Sequence, residues 1–197
     1  MKKNSFFKEH IRNNSVKYIL CIILLLAGTC VGCSRHSTLS ADNAQSLVTY
    51  FSESAVDGAA ATFTEVFKNC LISNLKYTVA YFVLSMTAYS AWCCVAVPAV
   101  KGFAAGFTSA FLIANYAAHG VAYVLLAILP SCLLILPMHF FAAVVCINFA
   151  ADRRKRRDIG ARAAMGIVPA LAIIFAVMAV CSLYDALISP FIFKNLF

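Results

Sequence analysis

Charge is scarce in this chain. Asp, Glu, Lys and Arg together make up 12% of its 197 residues, against 62% hydrophobic residues and a mean hydropathy of +0.85. A soluble domain of this length could not cover so much apolar surface with so little polar material, whereas lipid tails solvate apolar side chains directly. Acidic residues are scarcer still, eight in all, and none falls in the middle of an apolar run. Ion coupling across a bilayer normally needs ionisable groups deep in the membrane, so this chain offers thin material for it. Signature motifs are lacking too: there is no G-x-x-x-x-G-K-[ST] phosphate loop, no HExxH zinc helix and no GxSxG serine elbow. No catalytic residue, cofactor site or metal site is therefore expected, and the chain reads as non-enzymatic.

What charge there is has a pattern. The net charge of +8 comes from two short blocks, Lys2–Lys17 and Arg153–Arg162, each beside an apolar run. Positive charge placed this way orients a membrane protein. A nucleic-acid binder would instead spread Lys and Arg over a soluble face with exposed aromatics, so nucleic acid is not an expected partner.

The apolar runs predict an all-α, polytopic membrane helical bundle of about five transmembrane helices with a cytoplasmic N-terminus. Residues 1–16 form a basic cytoplasmic segment and 17–34 a first transmembrane helix. Residues 35–70 form an extracytoplasmic amphipathic helical segment, and 71–197 four further helices with a basic cytoplasmic loop at 152–162. The first run, Lys17–Cys33, also resembles a signal peptide, or a lipoprotein signal ending at Cys33; an uncleaved anchor is the plainer reading. In the polar stretch, Leu47, Phe51, Ala55, Phe63, Val66, Phe67 and Cys70 recur near helical spacing, with Asp57-Gly58 as an interruption and Ser40 as a start signal.

The second run, Leu71–Val100, is expected to close at Pro98 and Lys101. The third, Gly102–Ala118, is short for a span. The fourth, Val121–Ala151, carries Pro130 and Pro137 and is expected to bend or split there, because prolines free backbone groups that neighbours must satisfy. The fifth is Ala163–Leu187. With the N-terminus inside, Lys2, Lys3, Lys8, Arg12, Lys17, Lys101, Arg153, Arg154, Lys155, Arg156, Arg157 and Arg162 lie on the inner face. Arg35, Lys68, Lys76 and Lys194 lie on the outer, a bias that requires five spans.

Few residues offer chemistry inside the membrane. His139, two residues after Pro137, is a possible intramembrane polar site; it could line a pathway, or more plainly be a neutral histidine bonding a freed carbonyl. Asp185 is expected near the outer end of the fifth helix, within reach of water, and Lys76 early in the second, snorkelling outward. Of nine cysteines, Cys21, Cys93, Cys94, Cys132, Cys146 and Cys181 lie in apolar runs, where they act as small hydrophobes. Cys30-x-x-Cys33 resembles the motif of membrane enzymes that pass electrons from a disulfide to a quinone, but those need a second outer pair, and only Cys70 is at hand. A bridge from Cys70 to Cys30, one to Cys33, or none, all remain open. Gly102, Gly106 and Ala110 share one face of the third helix and mark close packing, within the chain or against a partner.

The stretch Phe67–Phe149 resembles the stage II sporulation protein M family of integral membrane proteins. FKNCLISNLKYTVAYFVLS is similar to that family's polar start to its second span. Lys101-Gly102-Phe103 followed by Gly106-Phe107 resembles its KGF-x-x-GF signature, and LPSCLLILP, with Pro130 and Pro137, its doubled Leu-Pro motif. Ser131-Cys132 stand where members often have Gln-Asn or His-Gly. The resemblance implies that Lys101, Gly102, Phe103, Gly106, Phe107, Pro130 and Pro137 shape the bundle. It also implies a scaffold in the mother-cell membrane at the sporulation septum. There the family member holds two cell-wall hydrolases, an amidase/endopeptidase and a lytic transglycosylase, during engulfment. The outward segment Arg35–Asn69 could dock them or merely cap the bundle. The alternative is a membrane permease or transport subunit.

Overall fold

The computed structural model describes residues 9–40, 42–49, 62–87, 89–156 and 165–196. Of these, 94% are helical and no strand occurs among them. Among the described residues five long helices form the bundle: α1 (Ser15–Ser37), α2 (Phe63–Met86), α3 (Ser90–Tyr123), α4 (Leu129–Arg156) and α5 (Val168–Leu196), with a π-helical turn, Val124–Ile128, between α3 and α4. Three apolar helical stretches are long enough to cross a membrane: Ser15–His36, Trp92–Lys155 and Val168–Ile188. Ile19, Ile23 and Leu26 on α1, Val79 and Val83 on α2, Leu125 and Leu133 around α4, and Ile173 and Val180 on α5 all point away from the bundle. A surface of that kind is at home in lipid, where helices satisfy their own backbone hydrogen bonds.

The second boundary differs from the sequence expectation. The chain breaks at Thr87–Tyr89, with Thr87 extended (φ −76°, ψ 158°), and not at Pro98–Lys101. Pro98 is buried inside α3. A helix interior tolerates it here because only one backbone bond is lost, while leaving the helix within an apolar bundle would strand several. Lys101 accordingly sits eleven residues into α3 and not in a loop, and Lys76 lies thirteen residues after the start of α2, not early in it.

The long stretch Trp92–Lys155 turns back on itself at Ala117, whose φ of 45° and ψ of −119° interrupt α3. Gly120 completes the reversal: a Cβ there would strike the carbonyl oxygen of Leu112. The π turn then runs directly into Leu129-Pro130, with the Leu129 N–H bonded five residues back to Val124. A wide turn just ahead of a proline gives its ring room where an α-helical carbonyl would clash. The irregularity therefore precedes Pro130. The helix runs through Pro137 without a break, so the expected split there does not occur, and Pro137 faces outward.

One end of the bundle is tied by side chains. Lys17 Nζ donates to Asn148 Oδ1 and, at 2.9 Å, to Asn14 Oδ1, joining the start of α1 to the end of α4. Arg153 reaches the Met86 carbonyl at 2.8 Å, bringing the α2–α3 turn to the same level. The core lies towards this end, where Cys21, Tyr81, Cys94, Ala142, Cys146 and Met178 meet from all five helices. Below it His10 packs on Phe141, ring centroids 5.3 Å apart; burial, with Lys17 nearby, holds its imidazole below the usual value.

Two seams close the rest. Asn74 Nδ2 donates to Ser182 Oγ at 2.8 Å, linking α2 to α5 by polar glue inside the bundle. The most extensive helix–helix interface joins α1 to α3. Gly28 and Gly32 lie over Ala99 and Phe103, while Gly102 and Gly106 lie under Leu25 and Thr29; a Cβ at any of the four would strike the facing backbone. The small face of the third helix thus packs within the chain.

In the stretch 35–70, residues 42–49 are helical, and α2 begins at Phe63, eight residues ahead of the expected run at Leu71. Thr62 starts it, its N–H donating to the Glu65 carboxylate at 2.9 Å, a bond that holds Glu65 below the usual carboxylate value. Phe51, Ala55 and Asp57-Gly58 lie outside the described residues, as do Lys2, Lys3, Lys8, Arg157 and Arg162.

Candidate functional site

The displacement of Lys101 from a loop into the middle of α3 creates the feature of most chemical interest. An ammonium eleven residues along a helix lies about 16 Å from that helix's start, at 1.5 Å per residue, a length comparable with half of a 30 Å hydrocarbon layer. Its Nζ sits 3.7 Å from the centroid of the Tyr77 ring on α2. That cation–π contact offers part of the solvation lost on leaving water. Among the described residues no carboxylate comes within ion-pairing distance of it.

Asp185 on α5 accepts a hydrogen bond from Ser131 Oγ on α4. Asp185 and Lys101 are near enough to feel each other's charge. Two cavities flank the Ser131-Cys132 step. One, about 280 Å³, opens between α2, α4 and α5 and is lined by Cys70, Tyr123, Ser131, Cys132 and Asp185. The other, about 270 Å³, is a groove between α3 and α4 with Lys101, Ala104, Thr108, Ser131 and Leu136 on its walls. Ile128, Ser131 and Cys132 are common to both. A cation and an anion thus stand on opposite sides of one helix turn, each facing space.

His139 is fully buried, yet it lines neither cavity. Its ring stands edge-on to Tyr77 (5.4 Å) and tilted to Tyr81 (5.9 Å), and neither ring nitrogen has a hydrogen-bond partner among the described residues. Its own backbone carbonyl is bonded by Tyr81 Oη at 3.1 Å. The tyrosine, and not the histidine ring, therefore does the backbone bonding expected in this region.

The remaining expected residues divide cleanly. Gly102 and Gly106 form the α1 seam. Phe103 and Phe107 stack along α3, 6.2 Å apart, with Phe111 continuing the ladder at 6.4 Å. Pro130 follows the π turn and Pro137 touches neither the seam nor the Lys101 groove. Cys33 Sγ faces the Gly106 carbonyl at 3.4 Å, Cys70 lines the cavity beside Asp185 with Cys132, and Cys30, Cys33 and Cys70 are all free thiols. Among the described residues no group of three His, Cys, Asp or Glu side chains is placed to hold a metal. Sequence reasoning missed Tyr77, Ser131 and the pairing of Gly28 and Gly32 with α3. The Gly-x-x-x-Gly spacing of the last pair was legible, but nothing in the chain links Ser131 to a residue 54 positions away.

The family model for stage II sporulation protein M matches residues 3–190. The chain belongs to that family. The match reaches well beyond the motif-bearing stretch Phe67–Phe149 and takes in α1 and most of α5. Comparison with characterised proteins and with solved structures returns no match. Family and apolar helices together make this a sporulation-related membrane protein.

Proposed function

We propose that this protein is a non-enzymatic membrane scaffold of sporulation, with five spans and a cytoplasmic N-terminus. In this reading it localises peptidoglycan-degrading proteins, an amidase/endopeptidase and a lytic transglycosylase, at the septal membrane. The observation that carries the reading is the family match across residues 3–190. Its mechanism is concentration: partners held at one patch of membrane meet their substrate at a higher effective concentration than partners free to diffuse.

The geometry supports the topology. The side-chain ties put the start of α1, the α2–α3 turn and the end of α4 at one level, and Ala117 reverses the chain at the other. Taking Lys101 and Lys76 out of the charge tally as mid-helix residues leaves eleven basic residues inside against Arg35, Lys68 and Lys194 outside. The bias sharpens. The short helix at 42–49 and the capped start of α2 then lie on the outer side, where the hydrolases act.

The test is a crosslinking pull-down from membranes of sporulating cells, comparing the intact protein with a variant in which 44–68 is a neutral linker. Hydrolases captured by the intact protein and lost with the variant support the scaffold and place its docking segment. If neither form captures them while both reach the membrane, the scaffold reading fails. A second reading, a permease or transport subunit, is favoured by the Lys101 and Asp185 cavities and would then take its place.

A further inference from the structure

The groove beside Lys101 has more to offer than the scaffold reading uses. An ammonium carries three donors, and the partner the structure provides is one ring face. A cation inside an apolar helix bundle is costly unless an anion accompanies it. Asp185, bonded to Ser131, feels the lysine's charge from the far side of the Ser131-Cys132 step but makes no ion pair with it. On the near side, the space in front of Lys101 is walled by Thr108 and otherwise mostly by apolar side chains, with Ser131 turning its hydroxyl to Asp185, and its alanine wall, Ala104, is exposed on the outside of the bundle. A site so built presents one positive charge, the Thr108 hydroxyl and a sideways opening towards lipid.

We propose that this groove binds a single-tailed anionic amphiphile of the bilayer, a fatty-acid carboxylate on the Lys101 ammonium with its chain lying out past Ala104. Charge selects the head: one cation balances one negative charge, whereas a phosphate would bring up to two charges to a site with few donors. Depth selects it too. A carboxylic acid enters hydrocarbon in its neutral form and, where the lysine stands as the free amine, gives it its proton, so that carboxylate and ammonium form together; a phosphoester that stays charged has no such route. Size agrees, since about 270 Å³ lies below the usual range for drug-sized ligands and suits a head and the first part of a chain.

The experiment uses the full-length protein in phosphatidylcholine nanodiscs and measures binding of radiolabelled oleate. Unmodified protein should bind oleate and not the uncharged monoolein. Lys101→Met should weaken oleate binding roughly ten- to hundredfold, the loss expected for a charge-assisted contact, and Lys101→Arg should retain it. Ala104→Trp, which fills the groove from its exposed edge and leaves the lysine in place, should abolish binding as well. This second variant keeps the test alive if Lys101→Met does not fold, as judged by its elution from a sizing column. Equal binding of monoolein and oleate, unchanged binding in Ala104→Trp, or displacement of oleate by millimolar inorganic phosphate would each overturn the proposal. Because the readout is lipid binding, it is independent of whether hydrolases are recruited.

Discussion

Both ring nitrogens of His139 are buried without a partner among the described residues, so the residue contributes a cost where a neighbour of similar shape would not. Removing an unsatisfied buried group is neutral or favourable. His139→Leu should therefore raise stability by about 1 kcal/mol, read as a higher melting temperature in nanodiscs; a clear loss would show that the imidazole has a partner. Ala117 holds a backbone conformation that suits glycine. Ala117→Gly should stabilise the reversal by about 1 kcal/mol, the strain relieved less the added freedom of the unfolded chain. His10 gives a pH dependence. Its docked imidazole is held neutral, while an undocked one takes up a proton near 6.5, so docking persists above that value and weakens as pH falls through it. Hydrogen exchange at residues 9–14 should therefore slow between pH 7.5 and 5 by less than the fall in the intrinsic, base-catalysed rate requires. At this scale the sequence was a fair guide to which residues are unusual and a poor one to their partners. His139 and Lys101 stand out in any reading, but Tyr77 is one aromatic among many until α2 and α3 are set side by side.

At the scale of the helices, the glycine seam carries the clearest expectation. Gly106→Val or Gly32→Val would push α1 from α3 and should destabilise the bundle by about 1–3 kcal/mol, measured by thermal unfolding in detergent. The same change at Ala104, on the exposed side of α3, should cost far less. The seam was half legible: Gly102 and Gly106 announce a close approach, and their partners Gly28 and Gly32 carry the same spacing unremarked in the first helix. The break between α2 and α3 was hidden for a physical reason. Pro98 and Lys101 look like terminators because each is costly inside a membrane helix, but a buried ring and an aromatic partner offset those costs, and only the fold supplies them. Thr62 and Glu65, by contrast, wrote the start of α2 in plain local chemistry that the run of apolar residues further on concealed.

Across the whole molecule, the proposed five-span topology makes a definite claim about sides. In His119→Cys the new thiol lies beside the Ala117 reversal, and in Tyr89→Cys it lies at the α2–α3 turn. An impermeant maleimide added to intact cells should label the first and reach the second only after the membrane is opened, as read by mass spectrometry of the labelled peptides. Equal labelling of both in intact cells would rule out the alternation of helices. The general architecture, helical and apolar, was available from composition. The cavities beside Ser131 were not, because they depend on residues of four helices meeting at one depth.

The α1–α3 seam also has a bearing on how the protein is made. Gly32 leaves the ribosome 74 residues before Gly106, and at about 5–20 residues per second the first helix waits on the order of ten seconds for its mate. α2 is completed in the meantime yet does not cover the waiting face, since α1 packs chiefly on α3. During that interval the glycine strip of a newborn α1 is open to any passing helix with a matching strip, including the α3 of an older copy. Slow elongation in a crowded membrane lengthens that interval and so favours exchanged pairs in which each copy's first helix completes the other, and fast elongation favours the self-contained bundle.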